Sequence, residues 1–450
     1  MRWLPNTEAD RRAMLDRIGV ATVNDLFSDV PAEVLDPALD LPPAAGEIEI
    51  ERTFRELGAR NRAAGDGPFF LGSGAYRHYI PASVDALIQR GEFLTSYTPY
   101  QPEISQGTLQ TLFEFQTQVA LLTGCDVANA SMYDGSTACA EATLMAARIT
   151  RRTRIAVAGG LHPHWHDTLA TYFHFAGLEL VSLPAAEPGC WLSDGPGALP
   201  DDCAAVLVQY PDVFGAVGDL RPWAEAAHAA GALLIVAVPE VVALGALRAP
   251  GADGADIVVA EGQSLGVGLA FGGPYVGLFA TRDRYVRNMP GRLAGETVDM
   301  EGRRSFVLTL AAREQHIRRG RATSNICTNS GLCALAFSVH LALLGESGLA
   351  RLARLNHEAA VRTADRVDAV NGATVTNRTF FNEFAVALDR PATDVAAAIE
   401  QRHGVLAGVP ASRLYPDRDD LAHHLLIAAT ELTSDTDIEQ LGIALEETLQ

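Results

Sequence analysis

The chain has 450 residues, of which 48% are hydrophobic and 20% charged, with a formal net charge of −20. That length suits two or three domains and a sizeable core, and it excludes a disordered or fibrous chain. The acidity disfavours nucleic acid or an anionic membrane as partner. All 35 basic residues are Arg, so no lysine can form an imine, act as a base or hold a phosphate.

Residues 1 to about 60 read as a helical arm. Thr7 is a fitting N-cap for a helix through Met14, Leu15 and Ile18, and Val23, Leu26 and Phe27 suggest a second short helix. Prolines 31, 37, 42 and 43 then interrupt the chain. Residues 108–123 have helical periodicity and stop at Gly124, and Ala138 to Arg148 is an Ala-rich helix. Ile155–Ala158, Leu178–Leu183, Ala205–Val208, Leu233–Val236 and Ile257–Val259 are short apolar strands. Helices over residues 165–176 and Arg221–Ala230 alternate with them, which predicts an α/β domain with a mostly parallel sheet covered on both faces. An apolar helix near Ser330–Leu344 leads to a smaller α+β region. There Phe384–Leu388 and Leu425–Ala429 are strands, and Thr393–Arg402 and Ser434–Leu449 are helices. The expected division is 1–60 for the arm, 61–344 for the large α/β domain and 345–450 for the small C-terminal domain.

The cysteines at 125, 139, 190, 203, 327 and 333 form no C-x-x-C pair, which argues against a zinc or thioredoxin-like site. Residues Met1 to Glu8 contain no apolar signal region. The apolar stretch Gly231–Leu247 is broken by Pro239 and Glu240. The expectation is a soluble, cytoplasmic protein with free thiols and no membrane association.

Four segments could carry chemistry. Ser96 to Gly107 combines two tyrosines, two prolines and two glutamines, so its backbone is stiff and its polar tips could hold a small polar ligand. It could equally be an ordered connection. Gly135-Ser136-Thr137 opens a helix and offers either an anion site or an ordinary cap. His162, His164 and His166 would share a face on a strand and could bind metal, but Pro163 favours a helix start, and no metal is expected. Arg321 to Ser330 is rich in short polar side chains that cap helices or contact phosphates. The paired arginines 151–152 and 318–319 read as solvated or subunit-contact residues.

Longer words in the sequence are more specific. Pro5-Asn6-Thr7-Glu8, Gly74-Ala75-Tyr76-Arg77-His78-Tyr79-Ile80-Pro81, Tyr97 to Gly107, Asn129 to Gly135 and Ala322 to Asn329 together resemble the glycine decarboxylase family. These are the P-proteins of the glycine cleavage system, and the match is to the N-terminal-type subunit of the split form. The resemblance implies the pyridoxal phosphate (PLP)-dependent transferase fold type I, with a seven-stranded, mostly parallel sheet. It also implies that glycine loses its carboxylate as CO2 and that the aminomethyl group passes to the lipoyl arm of the H-protein.

That chemistry needs a lysine for the imine and an acid for the pyridine nitrogen. Ala237 occupies the expected acid position, and Gln263, or Ser264 one residue on, the expected lysine position. The resemblance therefore implies that PLP is held covalently by a second, lysine-bearing subunit. The two chains would form a heterodimer or heterotetramer with the site at their interface. Tyr97, Tyr100 and Gln101 would line that site with glycine, supported by Thr98 and Ser105. Ser324, Asn325 and Thr328 would reach the partner's PLP phosphate. The alternative is a non-catalytic scaffold that only stabilises its partner.

Overall fold

The computed structural model describes residues 5–35, 37–191 and 195–450, so the first four residues of the amino-terminal segment lie outside it. The chain divides into two compact units, Met1–Ala63 and Ala64–Gln450. The first unit contains α1 (Glu8–Ile18) and α2 (Glu47–Gly58). Thr7 caps α1 in a reciprocal box with Asp10, and Gly19 ends it with φ of 92°. Asn24–Phe27 forms a single 3-10 turn where a second short helix was expected. The sequence reading missed α2, whose apolar Ile48, Phe54 and Leu57 follow the run of prolines.

The second unit begins with α3 (Ala82–Ile88) and α4 (Gln106–Thr123), the latter ended by Gly124 in the left-handed region. A βα alternation follows: β1 (Val127–Ala128), α5 (Gly135–Thr150), β2 (Arg154–Gly159), α6 (Pro163–Ala176) and β3 (Glu179–Ala185). It continues through β4 (Cys203–Gln209), α7 (Arg221–Ala229), β5 (Leu233–Val238), β6 (Ile257–Glu261) and β7 (Gly277–Thr281). The seven strands form one sheet in the order β1-β7-β6-β5-β4-β2-β3. Strands β2 to β6 are parallel, and β7 runs antiparallel to both β6 and β1.

Strands β4, β5 and β6 are buried throughout because both faces of the sheet are covered. Alternate residues of β5 serve opposite layers. Leu233, Ile235 and Ala237 pack with Met145, Trp165, Leu169 and Phe173 of α5 and α6. Leu234, Val236 and Val238 pack with Phe115, Trp223 and Phe337 on the other side. A hairpin of β8 (Leu293–Val298) and β9 (Arg304–Thr309), which the sequence reading did not anticipate, follows the sheet.

Helix α8 (Gly331–Asp368) leads into the C-terminal region and changes direction at Gly345, where φ is 61°. It is long and apolar enough to cross a membrane by composition. Its Ala334, Phe337 and Leu341, however, pack into the core beneath the sheet. The remainder comprises β10 (Ala373–Val375), β11 (Glu383–Leu388), α9 (Ala392–His403), β12 (Val409–Pro410), β13 (His424–Ala428) and α10 (Asp435–Leu449). These strands form an antiparallel sheet, β10-β11-β13-β12, whose apolar face packs against α8, α9 and α10.

Candidate functional site

The tyrosine segment is an exposed, anchored loop. Tyr97 is 70% and Tyr100 78% exposed, with ring centroids 6.4 Å apart. Large aromatic surface left in solvent is costly unless a partner or ligand covers it. The loop is held from below. Gln106 donates through Nε2 to the carbonyls of Pro102 at 2.7 Å and Phe306 at 2.9 Å, and its Oε1 accepts from the Phe306 amide at 2.8 Å. The Arg292 guanidinium bonds the Thr98 hydroxyl and lies 3.8 Å from Glu314. Thr98 is thereby tied to Arg292, the residue that precedes β8. Ser105 contributes its carbonyl, which accepts the Leu109 amide at 2.9 Å, while Gln101 is exposed. Arg292 and Gln106 were not assigned roles from sequence, because their partners lie far along the chain.

The polar segment before α8 lies against the turn that precedes α5. The Cys327 amide donates to the Tyr133 hydroxyl at 3.1 Å, and the Ser330 amide donates to the Ser131 hydroxyl at 3.0 Å. The Ser324 hydroxyl accepts the Ile326 amide at 3.1 Å. Asn325 is exposed, Thr328 is half-buried, and Ile326 is buried as the anchor of the segment. Phe93, Tyr97 and Thr98 share a small cleft with Asn329, Gly331 and Leu332. The fold thus places the Tyr97 loop and the start of α8 side by side, although about 230 residues separate them in sequence.

A second polar centre lies beyond the carboxyl ends of the parallel strands. Glu240, just after β5, accepts from Ser264 at 3.1 Å and lies 3.0 Å from His78 Nε2. His78 Nδ1 is 2.9 Å from Glu431 of the C-terminal region. Burial alone would lower the His78 pKa, but Glu240 and then Glu431 outweigh it and push it up to about 10. The Tyr76 hydroxyl donates to Glu383 at 2.8 Å, and the Ser73 amide donates to the same carboxyl at 2.6 Å. Burial pushes Glu383 and Asp212 each up to about 7. The word from Gly74 to Pro81, quoted from sequence without a role, is therefore a strap tying the C-terminal region to the large sheet.

Gln263 joins this centre through Tyr76, and Ala237 does not. Ala237 is fully buried within β5 and faces the α5 layer with only a methyl group. Gln263 Oε1 accepts the Tyr76 amide at 3.2 Å, and its Nε2 donates to the Val267 carbonyl at 2.8 Å. The amino terminus of α5 is an ordinary cap: Asp134 accepts the Thr137 amide at 2.7 Å and the Ser136 hydroxyl at 2.8 Å. Glu261, which the sequence reading overlooked, accepts the Gly135 amide at 2.9 Å. Its other oxygen accepts the amides of Gln263 at 3.0 Å and Val276 at 3.2 Å. Burial pushes Glu261 up to about 8 against the pull of these donors.

The three histidines lie at the start of α6 and not on a strand. His162 is buried and caps α6, accepting the His164 amide at 3.2 Å, while His164 is exposed. Among the described residues, no three His, Cys, Asp or Glu side chains converge to hold a metal.

Residues 1–445 match the family model for glycine cleavage system P-protein. The chain is 59% identical over 456 residues to a probable glycine dehydrogenase (decarboxylating) subunit 1 of Erythrobacter litoralis, covering 100% of both chains. It is 60% identical over 452 residues to the protein of the same description in Xanthobacter autotrophicus, again with 100% coverage of both. A crystal structure of glycine decarboxylase (P-protein) of the glycine cleavage system, in inhibitor-bound form, superposes with a TM-score of 0.92 at 45% identity, covering 100% of both chains. A sphingosine-1-phosphate lyase of Burkholderia pseudomallei shares the fold alone, with a TM-score of 0.65 at 15% identity over 93% of this chain and 94% of that one.

Proposed function

The chain belongs to the glycine cleavage system P-protein family, and on that premise we propose that it is subunit 1 of a glycine dehydrogenase (decarboxylating), active only with a lysine-bearing subunit 2. The observation that carries the division of labour is the absence of lysine from all 450 residues. An imine-forming enzyme needs that amine, so the partner must supply it and hold pyridoxal phosphate. The complete reaction would release CO2 from glycine and pass the aminomethyl group to the lipoyl arm of the H-protein.

The share of this chain is to wall the site. Tyr97 and Tyr100 would cover the partner's pocket, excluding water and amino acids larger than glycine. Gln101 would present its amide to the polar part of the substrate, while Arg292 and Gln106 hold the loop in place. Ser324, Asn325 and Thr328 would donate hydrogen bonds to the phosphate of the partner's cofactor, at the segment fastened to Ser131 and Tyr133.

Carbon exchange between glycine and bicarbonate, measured with lipoylated H-protein, tests the proposal. The assay uses this chain alone, subunit 2 alone and the two mixed. Activity only in the mixture is the expected outcome. Activity in this chain alone would overturn the lysine argument. Full activity in subunit 2 alone would make this chain a scaffold.

A further inference from the structure

In open α/β sheets, ligands sit in the crevice beyond the carboxyl ends of the strands. Here that crevice gathers His162 after β2, Asp212 after β4, Glu240 after β5 and Glu261 and Gln263 at the end of β6, all of them buried. Pyridoxal phosphate does not fit it. There is no lysine, Ala237 offers no acid, and both polar ends of Gln263 are committed to backbone groups. The helix terminus that would receive a phosphate is already satisfied.

We infer that the crevice is a cofactor site closed from within, in which the Glu261 carboxyl group takes the place of a phosphate at the amino terminus of α5. Three backbone N–H groups from different segments converge on this one side chain: Gly135 of the helix, Gln263 after the strand and Val276 before the next. Convergent backbone donors are the usual equipment of a phosphate site. The Trp165 indole packs against Gly135, where an added Cβ would lie 2.7 Å from two of its ring carbons. Buried Tyr76, bonded to Glu383 and Gln263, also occupies the crevice. The inference rests on the geometry of this chain, and only the cofactor count below rests also on the two-subunit reading.

Two measurements test it. The full chain is titrated with inorganic phosphate by calorimetry and by thermal melting, against matched chloride, as wild type and as Glu261→Ala. The wild type is expected not to respond. The folded variant, its three donors freed, is expected to gain at least about tenfold in phosphate affinity and to melt higher in phosphate. Separately, the assembled two-subunit enzyme is expected to contain one pyridoxal phosphate per pair. Phosphate binding by the wild type, indifference of a folded Glu261→Ala chain, or two cofactors per pair would each overturn the inference. The wild-type titration and the cofactor count hold their force even if the variant fails to fold. Because the phosphate arm involves no glycine chemistry, its failure is distinguishable from failure of the proposed function.

Discussion

His78 Nε2 and Glu240 Oε2 lie 3.0 Å apart, with each side chain 1% exposed. Glu431 completes the arrangement from the other side, so one imidazolium serves two carboxylates. Removing it strands both acids in the interior. His78→Ala should cost about 3–5 kcal/mol at neutral pH in a denaturant titration.

The same pairing sets a pH dependence. His78 binds its proton more tightly folded, at about 10, than at its ordinary value of 6.5. Its contribution is complete below pH 6.5 and is lost as pH rises through about 10. Unfolding free energy measured across that window should fall with pH in the wild type. A His78→Gln chain should show a shallower fall.

Asp212 offers a contrasting case. Its Oδ1 accepts the amides of Phe214 at 2.9 Å and Ala216 at 2.8 Å, yet burial raises it to about 7. The folded chain keeps this proton longer than the unfolded one, so Asp212 erodes stability as pH rises from 3.8 through about 7. Asp212→Asn keeps an oxygen for both amides and removes the charge. Its stability relative to wild type should improve with pH and be greatest above pH 7, read from paired melts at pH 5 and pH 8.

Tyr97 and Tyr100 separate stability from activity. Both are largely exposed, so their replacement by alanine should change unfolding free energy by no more than about 0.5 kcal/mol. The glycine–bicarbonate exchange of the assembled enzyme should nonetheless fall at least about tenfold. Gln106→Leu should act differently, costing about 1–3 kcal/mol by breaking its bonds to Pro102 and Phe306 and loosening the same loop.

Thiol labelling maps the face. Cys190 and Cys327 are exposed, whereas Cys125, Cys139 and Cys203 are buried. Burial also raises the Cys125 and Cys139 thiols, which slows their reaction further. Alkylation of the isolated chain should mark Cys190 and Cys327 first. Addition of subunit 2 should protect Cys327, which lies in the segment beside Ser324, and leave Cys190 reactive. Equal labelling of both in the complex would sink the placement of that segment at the interface.

The alternation of buried strands and helices was legible in the residues themselves, because period and composition are local properties. Strands from β2 to β6 and the helices between them fall where apolar runs and caps placed them. The missing lysine was equally legible, since an absent functional group needs no geometry. Short edge strand β1, strand β7 beside it and the β8–β9 hairpin escaped because their pairing partners, rather than their own patterns, make them strands. The sequence alone left Gly135 open as an anion site or a cap, and only the tertiary structure decided, by bringing Glu261 to its amide across 126 residues. It likewise decided that His78 is a buried cation, that Gln106 and Arg292 carry the tyrosine loop, and that Tyr97 neighbours Asn329. Each of these depends on distance between remote segments, and that distance is a product of packing the whole core.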